Sequence, residues 1–195
     1  MWLLAIETSR NKCSVALFSQ GKFINMITEE RAHKQSERLL LMIEEVLAGQ
    51  GIEYSDLSYV AVCVGPGSFT GVRIGLATAI GIEIAKGTQV IAVSSLEAIA
   101  VENCWSLINA GRGEFYAEQF SASNQVTSSP ELLNAELVSS LRENGEKLIE
   151  LGVEVEDLTA KQVGEAAFKR IKLGLFLPVA PLYIREPDAK LPKDA

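Results

Sequence analysis

The sequence predicts an α/β chain of two lobes with mixed sheets, the second lobe reduced. Three observations carry that expectation. Three apolar, strand-like runs open the chain on connections too short to hold a helix. Apolar runs then alternate with helical periods, and a shorter series of the same kind follows residue 103.

The opening runs are Trp2–Ile6, Cys13–Phe18 and Lys22–Thr28. Their connectors, Thr8–Lys12 and Ser19–Gly21, can only make hairpins, so the three strands are expected as antiparallel neighbours. A helix follows, with Ser36 as its N-cap and Glu37 near the positive end of its dipole. Leu39, Leu40, Ile43, Val46 and Leu47 lie along it, and Gly49 and Gly51 stop it. Tyr59–Val64 reads as a buried strand, Gly65 to Gly71 as a turn, and Gly71 to Lys86 as a helix. Gln89–Val93 is the next strand, with Ser94 or Ser95 capping a helix after it. The order β-β-β-α-β-α-β-α, a meander followed by right-handed crossovers, is that of the ribonuclease-H-like unit on which actin-like proteins are built.

The second series starts with Trp105–Ala110, a turn at Gly111-Arg112-Gly113, and Glu114–Phe120. A polar, serine-rich linker (Ser121–Pro130) leads to a helix around Ala135–Asn144, a strand Lys147–Leu151 and a helix near Ala160–Lys172. The lobes are therefore expected at 1–103 and 104–195. Pro178–Arg185 is stiff and extended across its prolines, and could dock back on the first lobe. The tail from Glu186 is polar and expected to be loose.

Composition narrows the function. Of 195 residues, 48% are hydrophobic and 22% charged, which suits a packed core and excludes a disordered chain. A net charge of -7 gives no bulk attraction for RNA phosphates, so any RNA would have to be held by something else. Cys13, Cys63 and Cys104 are widely spaced in apolar runs, match no zinc spacing and read as buried thiols. The start MWLLAIETS lacks the basic flank and length of a secretory signal, and no run reaches the ~20 apolar residues of a membrane span. A cytoplasmic location is expected, with no membrane partner. His33 is the single histidine, so no His pair for a metal is available, and it reads as a surface or capping residue. No GxSxG elbow supports a peptidase, and no catalytic residue or metal ligand is assigned.

The stretch GPGSFTGVRIG at residues 65 to 75 follows a strand and enters a helix, where many folds cradle phosphate. It lacks the lysine of a Walker loop, and Gly65, Gly67 and Gly71 are spaced as GxGxxxG instead of the dinucleotide fingerprint. A tight turn is favoured over a phosphate cradle. Beyond it, Gly71, Gly75 and Ala79 recur every four residues and leave one helical stripe bare, with Ile82 among the isoleucines on other faces. A helix apolar nearly all round is buried on most sides, either between lobes of one chain or against another subunit. The run Leu39–Ile43 is apolar at every position, more than one core-facing stripe can use. It favours a subunit interface formed by Leu39, Leu40, Ile43, Val46, Leu47, Gly71, Gly75, Ala79 and Ile82. Glu7, Thr8 and Ser9 close the first strand, where actin-like ATPases hold nucleotide phosphates. They are the candidate, vestigial phosphate hairpin, with an ordinary polar turn as the equal alternative.

These pieces resemble the TsaB (YeaZ) family. GPGSFTGVRIGLA at Gly65–Ala77 is the most specific match. LLAIETSRNKCSVA at Leu3–Ala16, SERLL at Ser36–Leu40, SSLEAIA at Ser94–Ala100, Gly113–Tyr116 and the Pro181–Arg185 ending support it. The resemblance implies an actin-like two-lobed fold and a non-catalytic scaffold or activator subunit. That subunit binds a TsaD-like enzyme through helices at Ser36–Leu47 and Gly71–Lys86. The enzyme forms N6-threonylcarbamoyladenosine at position 37 of tRNAs reading ANN codons. A TsaE-like ATPase joins the assembly, and tRNA is met only indirectly. No cofactor is expected on the chain itself, ATP or ADP only in the assembled complex, and a homodimer in isolation is compatible with the same helices. The chain departs from the family at Glu7, where aspartate is usual, and at Asn109-Ala110-Gly111, where the family has Asp-Ala-Arg. An autonomous actin-like ATPase or kinase using Glu7, Thr8 and Ser9 is the alternative, and a peptidase a weaker one.

Overall fold

The computed structural model describes residues 1–30, 35–121 and 127–185. Strands β1 (Trp2–Glu7), β2 (Cys13–Ser19) and β3 (Lys22–Glu29) form an antiparallel meander. Helix α1 (Gln35–Ala48), strand β4 (Leu57–Cys63), helix α2 (Phe69–Lys86), strand β5 (Gln89–Val93) and the short helix α3 (Ser95–Ile99) follow. The first sheet has the order β3-β2-β1-β4-β5, with β4 parallel to β1 and β5 parallel to β4. The parallel strands read as unbroken apolar runs because helices cover both of their faces.

A second sheet repeats the plan with one strand fewer. It holds β6 (Cys104–Gly111), β7 (Glu114–Phe120), β8 (Glu131–Asn134) and β9 (Leu148–Glu150), in the order β8-β7-β6-β9, with β9 parallel to β6. Helix α4 (Ala135–Glu143) precedes β9, and α5 (Ala160–Leu173) follows it. This is the ribonuclease-H-like, actin-like fold with a reduced second lobe.

The alternation of side chains along β1 explains the layers. Leu4 and Ile6 face Met42, Ile43, Val46, Leu76 and Ala79 of α1 and α2. Leu3 and Ala5 face the opposite way, into a core with Val163, Ala167 and Phe168 of α5 and Leu96 and Ile99 of α3. Helix α5, from the far end of the chain, thus covers the first sheet. It comes so close to β2 that a Cβ on Gly164 would overlap the Phe18 ring.

Three local expectations change. Helix α1 already includes Gln35, so Ser36 lies inside its first turn and is not its N-cap. Helix α2 starts at Phe69, two residues before Gly71, because Ser68 is the cap and accepts the Gly71 N–H. The end of the expected linker is followed at once by β8, whose four residues are too few to show a period in sequence. His33 and the tail from Glu186 lie outside the described residues.

Candidate functional site at the hairpin tip and the outer helices

The tip of the β1–β2 hairpin and the glycine loop after β4 press on one another. The Ser68 N–H donates to the Ser9 carbonyl at 2.7 Å, and the Thr8 hydroxyl donates to the Gly71 carbonyl at 2.7 Å. A Cβ on Gly67 would overlap the Ser9 carbonyl oxygen, and one on Gly71 the Thr8 carbonyl oxygen. A Cβ on Gly75 would stand 2.5 Å from the Thr8 hydroxyl oxygen. The loop needs glycines because backbone from the hairpin occupies their side-chain space.

The polar groups of the tip turn inward. Glu7, Thr8 and Ser9 are each 1% exposed. One Glu7 carboxylate oxygen accepts both the N–H and the hydroxyl of Ser9 at 2.6 Å. Behind them, Cys63 Sγ and Ser95 Oγ are 3.1 Å apart, and the Ser95 N–H donates to the Gly65 carbonyl at 2.7 Å. Burial pushes the Glu7 carboxyl above its ordinary range, against the pull of the Ser9 hydrogen bonds. Burial raises the thiols of Cys63 and Cys13 as well, Cys13 to about 12, so neither is a ready nucleophile. Thr8 and Ser9 thus spend their hydroxyls within the chain, while the second Glu7 oxygen, Oε2, is buried without a hydrogen-bond partner among the described residues. An open cleft lined by Ser9, Arg10, Lys12, Ser68 and Asp157 lies beside them, where Lys12 pairs with Glu30 and Asp157 at 3.0 and 3.2 Å.

The C-terminal extended segment crosses from one lobe to the other. The Leu182 N–H donates to the Val64 carbonyl at 2.8 Å. Tyr183 hydrogen-bonds Arg73, whose guanidinium lies 3.2 Å over the Phe69 ring. Arg185 pairs with Glu114 at 2.5 Å and donates to the Ala110 carbonyl at 3.1 Å, which holds the β6–β7 hairpin. The partners of Leu182, Tyr183 and Arg185 lie at least 71 positions away along the chain, so no sequence spacing could reveal them.

The residues expected at a subunit interface sort into two groups. Leu39, Ile43, Val46, Leu47, Ala79 and Ile82 are buried in the core of the chain itself, and Gly71 and Gly75 are buried at the hairpin tip. The bare stripe Gly71-Gly75-Ala79 is filled from within the chain, by Thr8 after β1 at the two glycines and by the core beneath α2 at Ala79. Leu40 is the exception, 54% exposed, with Leu41 beside it at 47%. The outward side of α2 carries Arg73, Ala77, Gly81 and Ile84, the last 81% exposed. Gly81 has nothing within 4 Å of its side-chain position.

A buried ion pair joins α3 to α5. Arg170 Nε and Nη2 both reach Glu97 Oε2 at 2.6 Å. Burial pushes Glu97 up, opposed by Arg170. Next to it, burial and the charge of Glu97 raise Glu118 of β7 to about 7. Sequence reading missed all three, since alternate strand positions and the last helical turn are usual places for solvated charge. Among the described residues no group of three or more His, Cys, Asp or Glu is placed to hold a metal ion, and no helix is long and apolar enough to cross a membrane.

Comparison with known proteins follows the same lines. The family model described as TsaD, tRNA N6-adenosine threonylcarbamoyltransferase, matches residues 26–150. The tRNA threonylcarbamoyladenosine biosynthesis protein TsaB of Haemophilus influenzae is 38% identical over 125 residues, 60% of this chain and 52% of that protein. TsaB of Escherichia coli is 34% identical over 129 residues, 62% of this chain and 55% of that protein. The chain thus spans about half the length of the curated relatives it matches. In three dimensions it is similar to YeaZ from Pseudomonas aeruginosa, with a TM-score of 0.76 and 25% identity over 93% of this chain and 99% of that one. A family match over more than half of the chain, the TsaB relatives and the YeaZ-like structure together show that the chain belongs to the TsaD-type family, as one of its TsaB (YeaZ) members.

Proposed function

We propose that the chain is a non-catalytic subunit in the formation of N6-threonylcarbamoyladenosine on tRNA, and that it binds a TsaD-like enzyme through the outward faces of α1 and α2. The observation that carries the reading is the exposure of Leu40, Leu41 and Ile84 on two helices that pack side by side over one face of the first sheet. Exposed apolar side chains on neighbouring helices suit a helical partner. The names of the TsaB relatives supply the pathway. A non-catalytic role is supported by the inward-turned Glu7, Thr8 and Ser9 and by a single histidine in the chain. In this reading a TsaE-like ATPase joins the same assembly, tRNA is contacted through the enzyme, and the same two faces allow self-association when the enzyme is absent.

The test is co-purification with the TsaD-like protein of the same organism, comparing the parent chain with Leu40→Glu/Ile84→Glu. Loss of the complex with an unchanged unfolding transition is expected, because both side chains stand in solvent. A complex that survives the double change overturns the assignment of the faces. Titration of the isolated chain with ATP and magnesium addresses the ATPase reading, and no saturable heat is expected.

A further inference from the structure

A cavity of about 760 Å³ opens between α3, β7, residues 127–130 and the end of α5. Its floor is polar and its outer wall apolar. The floor holds Ser94, Glu97, Glu118 and Arg170, and the wall includes Leu173, Leu175 and Phe176, exposed by 49%, 50% and 52%.

The charges of the floor do not balance locally. Arg170 directs Nε and Nη2 to Glu97, and Nη1 donates to the Leu175 carbonyl at 3.4 Å. Glu97 is thereby neutralised, with three of the five guanidinium N–H groups directed to Glu97 and Leu175. Glu118 is only 5% exposed, and its Oε2 is buried without a hydrogen-bond partner among the described residues. The Ser94 hydroxyl supports this carboxyl, while Lys169 stands at the exposed rim. A buried carboxylate oxygen with no donor calls for an N–H donor from outside, and a positive one answers its charge as well. With two carboxylates in the floor, an anion is disfavoured. The half-exposed leucines and phenylalanine next to it would cover an apolar body.

We propose that this cavity binds a small organic cation with N–H donors on an apolar body, such as an amidine or an arylalkylamine. The donors meet Glu118 Oε2, and the apolar part lies against Leu175 and Phe176. The site is separate from the outer faces of α1 and α2.

The probe is benzamidine, titrated into the full chain at pH 8, where Glu118 is ionised, and followed by calorimetry and by amide shifts. Saturable binding is expected, with shifts confined to Ser94, Glu118, Arg170 and Phe176 and their neighbours. Glu118→Gln keeps the shape and removes the charge, and is expected to weaken binding about tenfold or more. Phe176→Ala, a half-exposed position whose change leaves the core intact, is expected to weaken it severalfold. Benzoate, with the same ring and the opposite charge, should not bind. Absence of saturable binding, equal binding by both variants and the parent, or equal binding of benzoate each overturns the proposal.

Discussion

Thr8 and Gly71, 63 positions apart, share one space: the Thr8 hydroxyl donates to the Gly71 carbonyl at 2.7 Å, and the Thr8 carbonyl fills the place of a Gly71 side chain. A methyl group at Gly71 would meet backbone, which cannot swing aside as a side chain can. Gly71→Ala is expected to lower stability by about 1–3 kcal/mol, read from the urea midpoint. An unshifted midpoint would mean that the hairpin and the loop do not press on each other.

Two other helical glycines should respond with opposite signs. Gly81 on α2 faces open space, so Gly81→Ala is expected to raise stability by about 0.5–1 kcal/mol through helix propensity. Gly164 on α5 faces the Phe18 ring, so Gly164→Ala is expected to lower it by about 1–3 kcal/mol. Thermal unfolding of the two variants decides the matter, and shifts of the same sign would contradict the packing of α5.

The Glu97–Arg170 pair is buried, with side chains 11% and 8% exposed. Removing one partner strands the other charge, so Glu97→Leu or Arg170→Met alone is expected to cost about 3–5 kcal/mol. The double variant should cost clearly less than the sum of the two, and a double-mutant cycle on urea unfolding measures the difference. Additive losses would mean that the pair does not act as a unit.

Glu118 makes stability depend on pH. Burial first, then the Glu97 charge, raises its folded value from 4.5 to about 7, while Arg170 and Ser94 oppose the rise. The folded state holds the proton more tightly than the unfolded chain does. Its contribution is therefore fully present below about pH 4.5 and declines as pH rises toward 7, by roughly 2–4 kcal/mol in total. Glu7 acts in the same direction. Glu118→Gln is expected to flatten the fall between pH 5 and pH 8 and to be more stable than the parent at pH 8. An unchanged pH profile in urea unfolding would contradict the burial of this carboxyl.

The strands and the order of the first lobe were legible because β-branched runs and short connectors constrain them locally. The orientation of α2 was not. Ile74, Leu76, Ile80, Ile82 and Ile84 surround it, so its apolar residues name no single inner face, and the bare stripe through Gly75 could equally meet the same chain or another. What fills that stripe is Thr8, brought there by the parallel pairing of β1 with β4. The same limit hid Glu118 and Arg170. Each occupies a position where a charge is normally solvated, and only the meeting of β7, α3 and α5 buries them.

The placement of α5 also bears on how the chain acquires its fold. The Ala160 N–H donates to Ser14 Oγ at 2.8 Å across 146 positions, and Val163, Ala167 and Phe168 complete the core around Leu3, Ala5 and Ala16. During synthesis the opening meander leaves the ribosome long before the helix that covers one of its faces. Until α5 is made, that face stays wet and apolar, a natural target for holding chaperones. The core on that face of the first sheet is complete only once this long-range contact closes, and contacts of such separation are the kind that slow folding.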